Sequence, residues 1–500
     1  MFRFTPALLA TAAALALVAC DANDPTGPAE PTQVTAAPST DAGSMSLTRL
    51  PKSFYVNPSS GKNTNPGTKL LPFKTLARAL SSTIAKDTVR LAAGTYSAAS
   101  GERFTNGTQQ VPVPAGVMIL GTVAGELTTR LQGAGGETGL SLKGAATVRN
   151  LILAGFTIGI DATQGVQSLK GLLLDQTSLG IELRGTAQAT LAGSTILLRP
   201  STLPIIGVRA REQARFTMDG GMIGAESPNC EKTFIGVALL DAARLTLKNS
   251  ATIKNIAGIG LAIRGTSHAI LTKFAAIDRS FVQFPGKCAP RPSILTQDSA
   301  SLTLRNARLV SIGGDFSMGV ESNSRALLTI DSTEISGHSG AGIRGLGDFK
   351  LVASVSNFRQ NGVGIDAIAA PKASITVSWT TLFLNAIGIR APFFTLRNSV
   401  VSQNTTGIVV LSPFTDLGQT YDPGKNTITD NLITGVAFSS TVASGGVGGI
   451  FASGNTWDAA TQGSDGGGQY PGKPLVNNSS PDRSGPNFDL PANGFFQIQL

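Results

Sequence analysis

The sequence predicts an all-β fold: a right-handed, single-stranded parallel β-helix of about 12 or more turns, with a short helical cap at its amino end. Three observations carry that expectation. First, a small residue followed by an aliphatic one recurs as Gly159-Ile160, Gly180-Ile181, Gly207-Val208, Gly236-Val237, Gly260-Leu261 and Ser293-Ile294. It continues as Gly319-Val320, Gly342-Ile343, Gly364-Ile365, Gly388-Ile389, Gly407-Ile408 and Gly435-Val436, at a mean interval of about 25 residues. Second, each interval holds a short alternating strand, such as Ser374-Ile375-Thr376-Val377, and a further aliphatic pulse, such as Thr252-Ile253 or Val400-Val401. Strands this short cannot bury an apolar face within their own turn, so they must stack on one another. Third, 41% of the residues are hydrophobic, 58 of 500 are glycine and only 14% are charged. That composition excludes a chain disordered throughout. Past residue 20 no uninterrupted apolar run reaches the ~18 residues of a membrane-spanning helix.

Residues 1–19 hold one arginine and an apolar run ending in small residues, which reads as a secretory signal. Leu17-Val18-Ala19-Cys20 resembles the bacterial lipobox. The resemblance implies diacylation of Cys20, and so an exported chain, lipid-anchored to the bacterial cell envelope. Residues 20–52, rich in Pro, Thr, Ser and Ala, read as a flexible tether. In an oxidising compartment Cys230 and Cys288 are expected to form a disulfide.

Residues 53–96 open the folded body as a cap. Tyr55-Val56 reads as a strand, Pro58 to Thr68 as a loop, and 73–84 as a helix with Phe73, Leu76, Leu80 and Ile84 on one face. Val89-Arg90-Leu91 is a second strand, closed by Ala93-Gly94-Thr95-Tyr96. The run YVNPSSG, NPGT, PFKTLARAL and VRLAAGTY resembles a bacterial domain-of-unknown-function family that opens right-handed parallel β-helices of the pectin-lyase-like superfamily. The resemblance implies a fold and brings no activity with it.

The coil itself is expected over 97–440, with a bore of stacked aliphatics, and a carboxy-terminal cap and tail over 441–500. The glycine excess is read as corner backbone. Asn361, Asn385 and Asn404 each precede their anchor glycine by three residues, which predicts an asparagine corner whose members tolerate the left-handed conformation and bond to their stacked equivalents.

The superfamily includes polysaccharide lyases and hydrolases. Polygalacturonase-like hydrolases carry Asn-Thr-Asp, Asp-Asp, Gly-His-Gly and Arg-Ile-Lys, whereas this chain has no Asp-Asp. Gly337-His338-Ser339-Gly340 only half resembles the histidine motif, and His338 is read as a corner residue, His268 as a surface one. No catalytic residue and no metal ligand is assigned, and no cofactor is expected; calcium would enter only under a lyase alternative. The residue after each anchor should point outward. Glu321, Arg344, Asp366 and Arg390 then stack with alternating sign. With Arg209, Arg211 and Arg264 they form a possible binding stripe for a polysaccharide or cell-wall polymer. The net charge of +9 is spread thinly and aromatics are only 6%, so no nucleic-acid partner is expected. The function read from the sequence is therefore a carbohydrate-binding, cell-surface or structural module. A polysaccharide lyase or glycoside hydrolase acting on uronate-rich polymers is the alternative.

Overall fold

The computed structural model describes residues 49–457 apart from 107–108, 111, 200–204, 226–233, 257, 281–290, 313–317, 413–414, 420 and 439–448, together with 476–477 and 495–497. The signal segment, Cys20, nearly all of the tether, Cys230 and Cys288 lie outside the described residues.

Every winding contributes short strands to three faces of a parallel β-helix. The third face is a single sheet of fifteen strands, and the first two faces run together through long bent strands such as Ala146–Ala154 and Val166–Asp175. The anchors form one column on the third face. Val320 pairs with Ile343, Ile343 with Ile365, Ile365 with Ile389 and Ile389 with Ile408. All of these side chains are fully buried. On the second face Ile335, Phe358, Leu382 and Val401 fill the same bore. On the first face the inward column Leu328, Leu351, Ile375 and Phe394 alternates with an outward column of β-branched residues, Thr329, Val352, Thr376 and Thr395.

The anchor glycines serve close packing. A Cβ on Gly364 would lie 2.5 Å from the carbonyl oxygen of Gly388, and one on Gly388 would lie 2.4 Å from that of Gly407. Their φ angles are ordinary, which corrects the corner explanation for this column. The corners are turned largely by other residues in the left-handed region: Gln360, Leu384, Gln403 and Asp430 at one, and Ser332, Val355, Trp379 and Asn398 at another. Asparagine therefore sits one residue after the left-handed position, with its side chain turned into the wall. Asn361 donates through its backbone N–H and Nδ2 to Oδ1 of Asn385, at 3.0 and 3.1 Å. Asn385 repeats this on Asn404, and Asn404 on Asn431. His338, fully buried, ends the ladder by donating its backbone N–H to Asn361. A second ladder was not expected. The amide of Thr333 donates to Ser356 Oγ, that of Ser356 to Thr380 Oγ1, that of Thr380 to Ser399 Oγ, and that of Ser399 to Asn426 Oδ1.

Stacking begins at Ser53–Val56, which pairs with Thr88–Leu91, itself paired with Val117–Leu120. The exposed edge of that first strand is covered by the loop that follows: Tyr55 N–H donates to Gly67 O and Phe73 N–H to Tyr55 O. The helix is shorter than expected, Leu76–Leu80. Phe73 is held in a bridge to Val56, Thr75 caps the helix through its hydroxyl, and Glu102 accepts from the amides of Leu76 and Ala77. Ile84 is exposed, because Asp87 draws its amide out of helical register. At the far end Gly449–Phe451 and Thr456–Trp457 continue the coil, and most of 458–500 lies outside the described residues.

Candidate functional site

The outward column of the third face is where the coil concentrates charge. Because each anchor points into the bore, its successor points away from it, buried or half-buried among its neighbours, and the ladder brings these successors into register every ~4.8 Å. From the amino end the column reads Asp161, Glu182, Arg209, Ala238, Ala262, Leu295, Glu321, Arg344, Asp366 and Arg390.

The predicted stripe thus resolves into two charged clusters with an apolar interval between them. In the first, Asp161 and Glu182 stand on adjacent rungs, each only 2% exposed. Arg184 reaches both oxygens of Asp161 at 2.7 Å. Arg209 Nε binds Glu182 Oε2 at 2.6 Å, and Arg211 Nε approaches its Oε1 at 3.1 Å. The hydrogen bond to Asp161 raises the Arg184 guanidinium above its ordinary pKa. In the second cluster Arg390 holds Asp366 through two hydrogen bonds, of 3.1 and 2.7 Å, and Arg344 lies 3.8 Å from Glu321. Ala262 and Leu295, with Ile259, form a separate apolar group in the interval, 5–8% exposed. Arg264 does not continue the arginines of the first cluster. It is exposed, and Leu240 occupies the equivalent position between it and Arg211.

Both oxygens of Asp161 accept from Arg184, so that carboxylate is not placed to pass a proton to a ligand, whereas Glu182 accepts from Arg209 through Oε2 alone and its buried Oε1 makes no hydrogen bond with Arg211. What the clusters offer a ligand is the outer edge of each guanidinium, a third or more exposed for Arg184, Arg209, Arg211 and Arg344. The sequence places Asp161, Glu182 and Arg209, with Arg184 and Arg211, on one outward stripe, but which carboxylate each arginine meets appears only when three windings are superposed. No three His, Cys, Asp or Glu side chains converge as a metal cage among the described residues. His268 lies on the first face, half-buried, with Nδ1 2.6 Å from Ser301 Oγ. Burial and the nearby Arg244 push its imidazole below the usual histidine pKa.

Residues 59–204 match a family described as a protein of unknown function, DUF1565, which overlaps the segment whose motifs carry the family resemblance. No curated protein matches the chain. Among solved structures, the GH136 lacto-N-biosidase of Eubacterium ramulus is similar over 81% of this chain and 67% of its own, at 11% identity and a TM-score of 0.34. Pectate lyase Pel9A is similar over 70% and 80%, at 11% identity and a TM-score of 0.37. A chain of the Vag8–C1 inhibitor complex is similar over 78% and 90%, at 11% identity and a TM-score of 0.43.

Proposed function

We propose that the chain is an exported lipoprotein, anchored through Cys20 to the cell envelope, whose β-helix holds a polysaccharide or cell-wall polymer against its third face without cutting it. The observation that carries this reading is the pairing of Asp161, Glu182 and Asp366 with arginines, which presents guanidinium edges in two clusters on one face and leaves Asp161 and Asp366 with both oxygens bonded. Two clusters on one face suit a long repeating partner, which can engage both at once. Affinity electrophoresis in uronate-rich polymer gels tests it. Retardation should occur without release of reducing ends or unsaturated products, with or without calcium. The double variant Arg209→Glu, Arg344→Glu should abolish it. Product release that disappears in Asp366→Ala or Glu321→Ala would instead establish the lyase or hydrolase alternative. Anchoring is read separately, by palmitate labelling that Cys20→Ala eliminates.

A further inference from the structure

We infer that a cleft at the amino end of the coil, apart from the third-face stripe, binds the carboxylate-bearing ring of a single acidic sugar, a uronate. This rests on the reading that the chain holds polysaccharide, and it names a second, end-on contact. The cleft measures about 350 Å³, the low end of the range for small-molecule sites. Three consecutive rungs frame it: Tyr55 is the register partner of Arg90, and Arg90 of Leu120, all on the outward side of their strands. Lys69 and Pro72, from the loop covering the first strand, face them.

The chemistry of the lining is one-sided. No acidic side chain lines the cleft, and neither Lys69 nor Arg90 has an ion-pair partner among the described residues. Asn57 spends its Oδ1 on the amides of Ser59 and Ser60, at 2.9 and 3.1 Å, so its NH₂ is what remains for a ligand. Tyr55 adds a phenolic hydroxyl. Arg184, Arg209 and Arg390 are each paired with a carboxylate, whereas these cations are not. The segment that builds the cleft is itself basic: residues 51–92 carry seven Lys and Arg against one acid, Asp87, which is fully buried. Beside the donors lie the Tyr55 ring, Leu120 and Pro72. A pyranose uronate has this division, with a charged rim and flat C–H faces that pack on aromatic and aliphatic walls. A bare phosphate or a lipid headgroup would use the cations and leave the apolar wall unused.

Calorimetric titration of the full chain with sodium galacturonate, glucose, inorganic phosphate and phosphatidylglycerol vesicles tests the inference. Galacturonate should bind with an affinity that falls as salt rises, and glucose should not bind. Arg90→Gln and Lys69→Gln should each weaken galacturonate by about tenfold, the worth of one charge-assisted hydrogen bond. Tyr55→Phe, which removes only the hydroxyl of the half-buried ring, should weaken it while leaving the melting temperature unchanged. Phosphate or vesicles binding as tightly as galacturonate would overturn the assignment to a sugar. An Arg90→Gln variant that binds normally would overturn the site. Galacturonate binding that survives Arg209→Glu, Arg344→Glu would place it in the cleft. A chain that retains polymer yet ignores galacturonate sinks this inference alone, and one that binds neither sinks the polymer reading as well.

Discussion

A single methyl group separates an anchor glycine from a clash. Alanine at Gly364 would press on the Gly388 carbonyl at 2.5 Å and on Leu382 Cδ2 at 3.1 Å. Backbone in a stacked ladder cannot step aside, so Gly364→Ala should cost about 1–3 kcal/mol and lower the melting temperature in scanning fluorimetry. Gly193→Asn, at φ 50° with nothing within 4 Å of its Cβ, should leave it unchanged. The opposite effect is expected at Val355, a β-branched residue held at φ 49° and 58% exposed. Val355→Asn should raise stability in a denaturant melt by about 1 kcal/mol, since asparagine tolerates the left-handed region. Glu102, 2% exposed beneath the capping helix, supplies a pH dependence. Burial raises its carboxyl above the ordinary 4.5, against the downward pull of the amides of Ala77, Leu76 and Arg103. A raised folded-state value means that its contribution is complete below the unfolded value and fades as pH climbs through the folded one. The cap should therefore loosen as pH rises above about 4.5, read by amide exchange at Leu76 and Ala77, and Glu102→Gln should flatten that slope.

The ladders decide how the corners hold together. In Asn385→Ala the buried backbone amide of Asn361 loses its acceptor, and its Nδ2 keeps only the Ile335 carbonyl. That should cost about 2–3 kcal/mol in chemical denaturation, and the double variant with Asn404→Ala should cost less than the sum. This ladder was legible because Asn361, Asn385 and Asn404 stand at a fixed spacing from the anchor. Its geometry was not: the left-handed residue is the preceding one, Gln360, Leu384 or Gln403, and these types share no signature. The Thr333–Ser356–Thr380–Ser399 ladder stayed hidden because Ser and Thr also populate the outward strand columns, so identity alone does not mark a corner. The helix boundary was overrun for a related reason. Phe73 and Ile84 fit the helical period, but a bridge to Val56 and the Asp87 carboxylate claim their backbones first.

At the scale of the coil, the described residues form a one-dimensional stack whose cohesion comes from neighbours, and that much was readable from the period and the aliphatic anchors. Its sites were less so. Tyr55, Lys69 and Arg90 are spread over 36 positions and meet only because the chain folds back over its own first strand. Asp161, Glu182, Arg184, Arg209 and Arg211 meet only across three windings. Residues that gather by superposition leave no local motif. Register between windings has to be known before they can be seen as groups.

The alternating signs of Glu321, Arg344, Asp366 and Arg390 give the rod a parity. Excising residues 365–388 would join Gly364 to Ile389 and keep the glycine column, the asparagine ladder and the bore intact. Yet it would set Arg390 directly on Arg344, cation upon cation. Excising 343–388 removes twice as much, and would restore an opposite pair by seating Arg390 on Glu321. The longer deletion should melt at the higher temperature of the two, especially at low ionic strength. In this part of the coil, evolution can shorten or lengthen the molecule without penalty only by even numbers of windings.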